Sequence, residues 1–400
     1  MRNSKPGFDN INKRDKDKPS RPASRAIGCR RLFAAACLAL GLLCLVPLVL
    51  TSPELHWHID NYVQPPIIAP APASKESDMI AFICAKYGEL PRNRLFILYS
   101  DGSGLRQLNQ HHFKSYGRIS WSPDGMWVAV VISYVYGLLP NEKYEIYRIR
   151  FDGLDSRRLT YNHFREFGPR WSKDGKSIWF FSSETMHKTS VDGAEISQSY
   201  DSYIGANLLI RRPVDWSSDE QRIIAIGTYD AILSGSDPDG SDWRELTRAG
   251  MRPDAVAWSG DDERIMYFSN DVSFEFSKLV VFDVKKQVED FSLKMDSIHD
   301  ARWSPDGNWI AIKGRALDED EGAHIYLLDI HTGVMNYITA MTTGDLGKIS
   351  WSPDSEWIAF STYPWSGGDS RIFKIKRDGT ALHQLAEIDC RIREISWSPK

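Results

Sequence analysis

Residues 119–125 read ISWSPDG, and this pattern returns six more times along the chain. A short apolar strand ends in Trp-Ser, and a tight turn follows in which Pro presets φ and Gly accepts a positive φ. The other copies are PRWSKDG (169–175), VDWSSDE (214–220), VAWSGDD (256–262), ARWSPDG (301–307), ISWSPDS (349–355) and ISWSPK (395–400). Their tryptophans have a mean spacing of 46 residues: Trp121, Trp171, Trp216, Trp258, Trp303, Trp351 and Trp397. That period is typical of a four-stranded β-propeller blade.

Each repeat predicts four strands. Ile119 and Trp121 alternate in the first strand, and residues 127–132 form a second strand that is dense in β-branched residues. In residues 144–150 the side chains alternate as in a third strand, and an Asp-Gly hairpin turn follows at residues 152–153. Residues 157–160 form a short fourth strand.

The strand-WSPDG-strand unit, with its Asp-Gly hairpin and its terminal RxLT-like strand, resembles the TolB-like, WD-repeat-like propeller family. The resemblance covers residues 79–400, and the motif recurs seven times. It implies blades arranged around a central channel, and it favours a protein partner.

The two ends of the repeat region are incomplete in complementary ways. Residues 79–82 match a second strand, so the first blade lacks its innermost strand, whereas residues 395–398 are an innermost strand without successors. Pairing the two removes exposed sheet edges. We therefore expect an all-β protein, a seven-bladed β-propeller closed by the C-terminal strand and preceded by one transmembrane helix.

The predicted transmembrane helix is residues 32–50, which contain no charged side chain. As a helix they would span about 28 Å, close to the hydrocarbon thickness of a bilayer. Arg25, Arg30 and Arg31 precede the stretch, and the next basic residue is Lys75. The positive-inside rule then places the N-terminus in the cytoplasm and the propeller outside. A cleaved signal peptide is the alternative, although the basic leader is long for one.

The remaining segments follow from charge and composition. Residues 1–31 carry ten Lys/Arg and three Asp/Glu, a balance of +7, and are predicted to be a disordered cytoplasmic tail. Residues 51–77 are a Pro-rich linker, and residues 78–400 form the propeller. Because the chain after residue 31 has a balance of −11, nucleic acid is not an expected partner.

The recurring tryptophans and turn aspartates are both predicted to have structural rather than ligand-binding roles. The inner-strand tryptophans are predicted to pack between blades. The turn aspartates are predicted to bond within their own turns rather than to a metal: Asp124, Asp174, Asp219, Asp306 and Asp354. The segment 237–242 superficially resembles a calcium loop, but it lacks the glutamate that such a loop requires.

Two sets of side chains are candidate site residues, because both precede inner strands and should crowd one mouth of the channel. His112, His163 and His299 are weak candidates for a metal site. The second set is a candidate rim for an anionic ligand: Arg118, Arg170, Arg212, Arg252 and Arg302.

Cys84 and Cys390 are the only cysteines after residue 77. Antiparallel pairing across the closure would bring them to one face, so they are a candidate disulfide in an extracytoplasmic protein. Two separate thiols are the alternative.

We expect a non-enzymatic binding or scaffold module outside the cytoplasm, bound to a protein or another cell-envelope component and needing no cofactor. The sequence offers no nucleophile motif and no phosphate-binding glycine loop. One alternative is a metal-dependent lyase or hydrolase acting on an anionic glycan at the channel mouth. Another is a ligand sensor coupled through the membrane anchor.

Overall fold

A computed structural model of the chain describes the propeller region. The described residues are 78–85, 93–108, 118–134, 143–161, 165–182, 185–193, 196–201, 203–204, 208–209, 212–236, 242–249, 253–269, 276–317, 322–339, 344–364 and 367–399. The predicted segments 1–31, 32–50 and 51–77 lie outside them. No helix within the described residues has the length and apolar character needed to cross a membrane.

The first three blades of the described chain are built as follows. Blade 1 contains β1 (Met79–Ala85), β2 (Asn93–Tyr99) and β3 (Arg106–Gln107), together with one strand from the C-terminal segment. Blade 2 contains β4 (Ser120–Trp121), β5 (Trp127–Tyr134), β6 (Lys143–Arg150) and β7 (Ser156–Arg158). Blade 3 contains β8 (Glu166–Trp171), β9 (Ser177–Ser182), β10 (Thr185–Ser190) and β11 (Ile196–Asp201). A small hairpin follows, formed by β12 (Tyr203–Ile204) and β13 (Leu208–Leu209).

The later blades repeat the same order of strands. Blade 4 contains β14 (Arg212–Trp216), β15 (Ile223–Ile226), β16 (Ala231–Gly235) and β17 (Arg244–Arg248). Blade 5 contains β18 (Pro253–Trp258), β19 (Arg264–Ser269), β20 (Ser277–Asp283) and β21 (Val288–Met295). Blade 6 contains β22 (Ser297–Trp303), β23 (Trp309–Arg315), β24 (His324–Asp329) and β25 (Met335–Tyr337). Blade 7 contains β26 (Gly344–Trp351), β27 (Trp357–Pro364), β28 (Ser370–Lys376) and β29 (His383–Ile388), and the last strand is β30 (Arg391–Trp397).

The described residues thus form seven four-stranded antiparallel sheets, which confirms the predicted all-β, seven-bladed propeller. Blade 1 has the strand order β3-β2-β1-β30, so the C-terminal strand supplies its inner edge as predicted. Ile80 lies opposite Trp397, and Phe82 lies opposite Ile395. Beyond the strand, Ser398 N donates to Met79 O over 2.7 Å, and Met79 N donates to Ser398 Oγ over 2.9 Å.

A disulfide joins Cys84 to Cys390 across this closure, with the two Cα atoms 5.7 Å apart. Cys84 lies opposite Ile392 where β1 pairs with β30, so the bond sits at the start of the closing strand. Both sulfurs are buried in the cluster between blades 7 and 1. The bond therefore ties the first strand of the ring to the segment that enters the last.

Most of the described apolar core lies between neighbouring blades. Six of the seven inner-strand tryptophans are buried, and Trp303 is partly exposed. Two of the indoles also bond across a junction: Trp121 Nε1 donates to Ser396 O over 3.2 Å, and Trp351 Nε1 donates to Arg302 O over 3.1 Å. These contacts confirm that the tryptophans pack between blades.

At several junctions, the side chain of the residue before the tryptophan accepts a hydrogen bond from the backbone of the next blade's tryptophan. Ser120 Oγ accepts from Trp171 N at 3.0 Å, and Ser350 Oγ accepts from Trp397 N at 2.9 Å. Asp215 Oδ2 accepts from Trp258 N at 3.0 Å. Each of these bonds satisfies a backbone N–H of the neighbouring inner strand, so blades are held together by polar as well as apolar contacts.

The WSPDG turns use their Ser and Asp side chains internally, as predicted. Ser352 Oγ donates to Asp354 Oδ1 over 2.5 Å and accepts from Trp357 N over 2.9 Å, and Glu356 N donates to the same carboxylate oxygen. The equivalent Ser-to-Asp bonds recur in the other described turns, at Asp124, Asp174, Asp219, Asp261 and Asp306.

The fifth position of the turn adopts a left-handed backbone in every described copy. Glycine occupies it in three turns, with φ between 69 and 72°: Gly125, Gly175 and Gly307. The other three turns place Glu220, Asp262 and Ser355 there, with φ near 60°. Each of these side chains accepts a backbone N–H from the preceding blade's turn, namely that of Lys173, Ser218 and Asp306. These bonds offset the left-handed strain, which is about 1 kcal/mol.

Deleting residues 395–400 should open or unfold the ring. The deletion removes the buried Ile395 and Trp397, and losing one buried Trp side chain alone costs about 3–5 kcal/mol. We expect a large drop in the urea midpoint of unfolding, and a smaller drop for Trp397→Ala. Leu382→Ala, at an exposed hairpin, is the control. A truncated chain with the wild-type midpoint would contradict the closure.

The turn aspartates should make stability depend on acid pH. Hydrogen bonds from the Ser hydroxyl, and then from the backbone, lower the pKa of Asp174 and Asp219 below the ordinary value of 3.8. A pKa that is lower in the folded state adds stability above the unfolded pKa and loses it as pH falls through the folded pKa.

We therefore expect the urea midpoint of the wild type to fall below about pH 4. In Asp174→Asn/Asp219→Asn this fall should be shallower, since Asn keeps the acceptor but cannot ionise. Asp155→Asn/Asp192→Asn changes two aspartates outside these turns and is the control. Equal pH profiles for the two double variants would refute the role of the turns.

Candidate functional site

The inner strands are bulged on the approach to the channel. Register shifts interrupt six of the seven inner-strand pairings among the described residues, for example between Ile298 and Asp300 in β22 and between Leu346 and Ile349 in β26. A bulge turns the strand and re-aims the side chains on either side of it. These bulges lie near or before the middle of those six inner strands. The face of the ring at which the inner strands begin is termed the starting face.

A cavity of about 770 Å³ occupies the centre of the ring and is lined by residues from all seven blades. Three of the five predicted rim arginines line it, namely Arg118, Arg170 and Arg302. Arg212 lies on β14, whose side chain there is not described, and Arg252 lies outside the described residues. The structure thus brings three arginines from blades 2, 3 and 6 into one space, and the anionic ligand itself stays a prediction.

Arg170 is engaged in holding blades together. Its guanidinium pairs with the Asp215 carboxylate, and its Nη2 donates to Trp216 O over 3.4 Å. Because Asp215 also accepts from Trp258 N, this group links blades 3, 4 and 5. Arg170 is therefore occupied and is the least suited of the three to bind a ligand.

Arg302 has a partial counter-charge. Its Nε lies 3.2 Å from Asp300 Oδ1, and the other oxygen of this buried carboxylate lies 3.7 Å from Lys348 Nζ. Burial alone would lower the pKa of Arg302, but the attraction of Asp300, Glu394 and Asp215 outweighs it and raises the pKa. Arg302 is thus a fixed cation that shares its carboxylate with Lys348.

Arg118 has no ion-pair partner among the described residues, and water in the channel reaches it. Repulsion from Arg302, and then burial, lower its pKa, against the attraction of Glu394, Asp215 and Asp300. A guanidinium stays protonated at neutral pH even so. Arg118 is therefore a charged donor group that an anion in the channel could neutralise.

Glu394 is a site residue that the sequence argument did not select. It lines the same cavity, and burial raises its pKa above 4.5, opposed by Arg302 and then Arg118. Glu394 stands three residues before Trp397, as Arg118 stands three residues before Trp121. Aligning the repeats on their tryptophans would therefore have identified the position.

The histidine hypothesis stays a prediction. His299 is exposed, does not line the cavity, and lies 3.1 Å through Nε2 from Ser297 Oγ. Partial desolvation of the imidazole ring, and then repulsion from Lys313, lower the pKa of His299. His112 and His163 lie outside the described residues. Within the described part of the chain, no three His, Cys, Asp or Glu side chains are grouped to hold a metal ion.

The sequence comparisons do not identify a family for the chain. No family model matches the chain. A stretch of 121 residues is 31% identical to an uncharacterized protein of Agrobacterium fabrum, and it covers 29% of this chain and 39% of that protein. The chain thus spans about two fifths of the length of this curated relative.

Solved structures with similar folds are numerous. The periplasmic gluconolactonase of Pseudomonas aeruginosa has a TM-score of 0.55 at 13% identity, covering 80% of this chain and 99% of that chain. The β-propeller domain of the trilobed protease from Pyrococcus furiosus has a TM-score of 0.55 at 12% identity, covering 79% and 97%. TolB from Acinetobacter baumannii has a TM-score of 0.48 at 16% identity, covering 81% and 67%. The first two similarities concern the fold alone. The seven four-stranded sheets of the described residues define the class as a seven-bladed β-propeller.

Replacing Glu394 by Gln should raise stability selectively at higher pH. Because burial raises the pKa of this carboxyl, its ionised form disfavours the folded state, and the penalty grows as pH rises through the folded pKa. We expect the variant's urea midpoint to exceed that of the wild type at pH 8 by more than at pH 4. Glu387→Gln, on the outer strand β29, is the control. A difference that shrinks with rising pH would mean that the arginines dominate instead.

Proposed function

We propose that the chain is a non-enzymatic binding and scaffold module that docks a protein partner at the cell envelope. The observation that carries the proposal is Arg118, a cation inside the channel that has no ion-pair partner among the described residues. It lies in one cavity with Arg302 and the partly exposed Trp303. Arginine and tryptophan are enriched among the residues that dominate protein–protein binding energy.

The charge of the channel defines the partner's chemistry. A second cation, Arg302, already repels Arg118, so an acidic side chain or a chain-terminal carboxylate would relieve that repulsion. A planar guanidinium bonds a carboxylate through two parallel hydrogen bonds. We therefore propose a partner that inserts an acidic segment into the mouth of the channel.

The location outside the cytoplasm belongs to the same proposal. Its support is the uncharged stretch 32–50, which is directly preceded by Arg30 and Arg31 and is followed by no basic residue before Lys75. The disulfide between Cys84 and Cys390 adds support, since disulfides persist mainly in oxidising compartments. In this proposal residues 32–50 are the single membrane anchor, and residues 78–400 lie on the outer side.

The test is a capture experiment with the full-length chain as bait, comparing wild type, Arg118→Gln and Arg244→Gln. Arg244 is exposed on the outer strand of blade 4 and serves as the matched control. We expect partners captured by wild type and by the control to be reduced at least about five-fold with Arg118→Gln, which equals about 1 kcal/mol. Partners that bind all three baits equally, or no partner in repeated trials, would contradict the proposal.

A second candidate is a metal-dependent lyase or hydrolase acting on an anionic glycan. The observation in its favour is Glu394, a carboxyl group whose pKa burial raises, in one cavity with three arginines. A perturbed carboxyl in a cleft beside cationic groups is typical of acid–base sites. This candidate requires a transition metal that copurifies with the chain, and glycan cleavage that Glu394→Gln abolishes. A folded, metal-free and inactive chain excludes it.

A ligand sensor acting through the membrane anchor is the third candidate. It requires a ligand-dependent change in the tail 1–31, which a label placed there would report.

A further inference from the structure

A second pocket lies on the starting face, where blades 6, 7 and 1 meet. Its volume is about 160 Å³, the room taken by roughly five water molecules in the liquid. It shares no lining residue with the central cavity. A pocket of this size suits one compact chemical group rather than a whole drug-sized ligand.

The lining of this pocket is strongly basic in a protein whose body is acidic. Four cationic side chains line it, namely Lys313, Lys348, Arg391 and Arg393, and the one acidic side chain is Asp345. The balance of the lining is therefore +3 when the single carboxylate is set against the four cations.

The nearby carboxylates neutralise this charge incompletely. Lys348 Nζ lies 3.7 Å from Asp300, which Arg302 already contacts, and Arg391 lies 4.0 Å from Asp345. Neither Lys313 nor Arg393 has an ion-pair partner among the described residues. Lys313 is half-buried, and burial followed by repulsion from Lys348 lowers its pKa.

The local backbone is shaped to present these cations. The two-residue bulge in β26 contains Gly347 and Lys348. A Cβ on Gly347 would lie 2.0 Å from Ser361 Oγ, so a larger residue there would require the Ser361 side chain to move. On the opposite wall, the Arg391 guanidinium lies 5.4 Å from the centre of the Tyr363 ring, which orients it.

The disulfide fixes the third wall. Cys390 directly precedes Arg391, and Ile392 N donates to Ser370 Oγ over 3.4 Å at the base of the pocket. Ser361, Ser370 and Tyr363 contribute hydroxyl groups to the lining. Cations on three blades and neutral hydroxyls between them form the donor set that a tetrahedral oxyanion accepts from.

We propose that this pocket binds a compact dianion, a phosphate group carried by a small molecule or by a lipid headgroup. A dianion would offset most of the +3 lining and would bridge blades 6, 7 and 1 at the ring closure. The site is separate from the channel, so its failure and the failure of the proposed function are distinguishable.

The test measures binding of inorganic phosphate to the purified full-length chain, by calorimetry and by the shift in unfolding temperature. Sodium chloride at matched ionic strength is the reference. We expect phosphate to raise the unfolding temperature beyond the chloride reference, since a ligand that binds only the folded state stabilises it. Lys348→Gln/Arg391→Gln should weaken phosphate binding at least about ten-fold.

The matched control is Lys285→Gln/Arg244→Gln, which removes the same two charge types from exposed positions in blades 5 and 4. If the pocket double variant fails to fold, Arg393→Gln replaces it, because Arg393 is exposed and its loss breaks no ion pair among the described residues. Arg118→Gln separates the two places where an anion could bind. A phosphate effect that survives Arg118→Gln but is lost in Lys348→Gln/Arg391→Gln belongs to this pocket, and the reverse result would overturn the proposal.

Vesicles distinguish the two sources of phosphate. Flotation with vesicles carrying a phosphomonoester lipid is compared with flotation on neutral vesicles, for wild type and for Arg393→Gln, whose tails 1–31 are identical. Lipid binding that Arg393→Gln weakens assigns a headgroup, whereas phosphate binding without such lipid dependence assigns a soluble ligand. No phosphate effect beyond chloride, or equal binding by the pocket variants and the control, would overturn the proposal.

Discussion

Each blade of this protein is apolar on both faces, and that constraint governs the rest of the structure. Seven of the eight buried clusters among the described residues draw their members from two neighbouring blades, and the eighth is a small cluster within blade 4. A blade therefore cannot bury most of its apolar surface by itself. A ring is the arrangement in which every face has a partner. The pairing of β30 with β1 supplies the last junction, and it joins residues more than 300 positions apart along the chain. Closing so long a loop costs chain entropy before the contact can stabilise the ring.

The electrostatics of the channel follow from the same geometry. The inner strands of all blades surround the channel. The charged side chains that stand just before the tryptophans therefore lie close together there, whether their charges are opposite or alike. Arg170 and Asp215 form one pair, and Arg302 and Asp300 form another. Arg118 and Glu394 remain, with pKa values shifted by burial and by the neighbouring arginines. A low-dielectric channel with incompletely balanced charges is a structure that gains stability from a ligand of the right sign.

Much of this architecture could be predicted from the sequence, because a bulky residue at a regular spacing leaves a strong signal. The tryptophan period predicted the blades, and the incomplete ends predicted the closure. The Ser-Asp turns were correctly assigned to local hydrogen bonding. The rim was predicted in part, since Arg118, Arg170 and Arg302 meet in the channel whereas Arg170 proves to be paired.

What the sequence did not reveal depends on the bulges. In a regular strand, every second residue before the tryptophan points to the same face of the sheet. A bulge adds one residue, so the residues before it point to the opposite face from the one expected. Lys348 lies within such an insertion, and Glu394 stands next to one. Aligning the repeats on their tryptophans places both residues at the position of Arg118, but it does not show which cavity each side chain lines. The ionisation of Glu394 and the crowding around Lys313 arise from neighbours on other blades, which no local pattern records.

The turns divide the described blade junctions into two kinds. At the junctions between blades 3 and 4, 4 and 5, and 6 and 7, a side chain on a left-handed residue reaches back to the preceding turn. At the junctions between blades 1 and 2, 2 and 3, and 5 and 6, glycine occupies that position and makes no such bond. Blades in this ring are therefore not interchangeable modules.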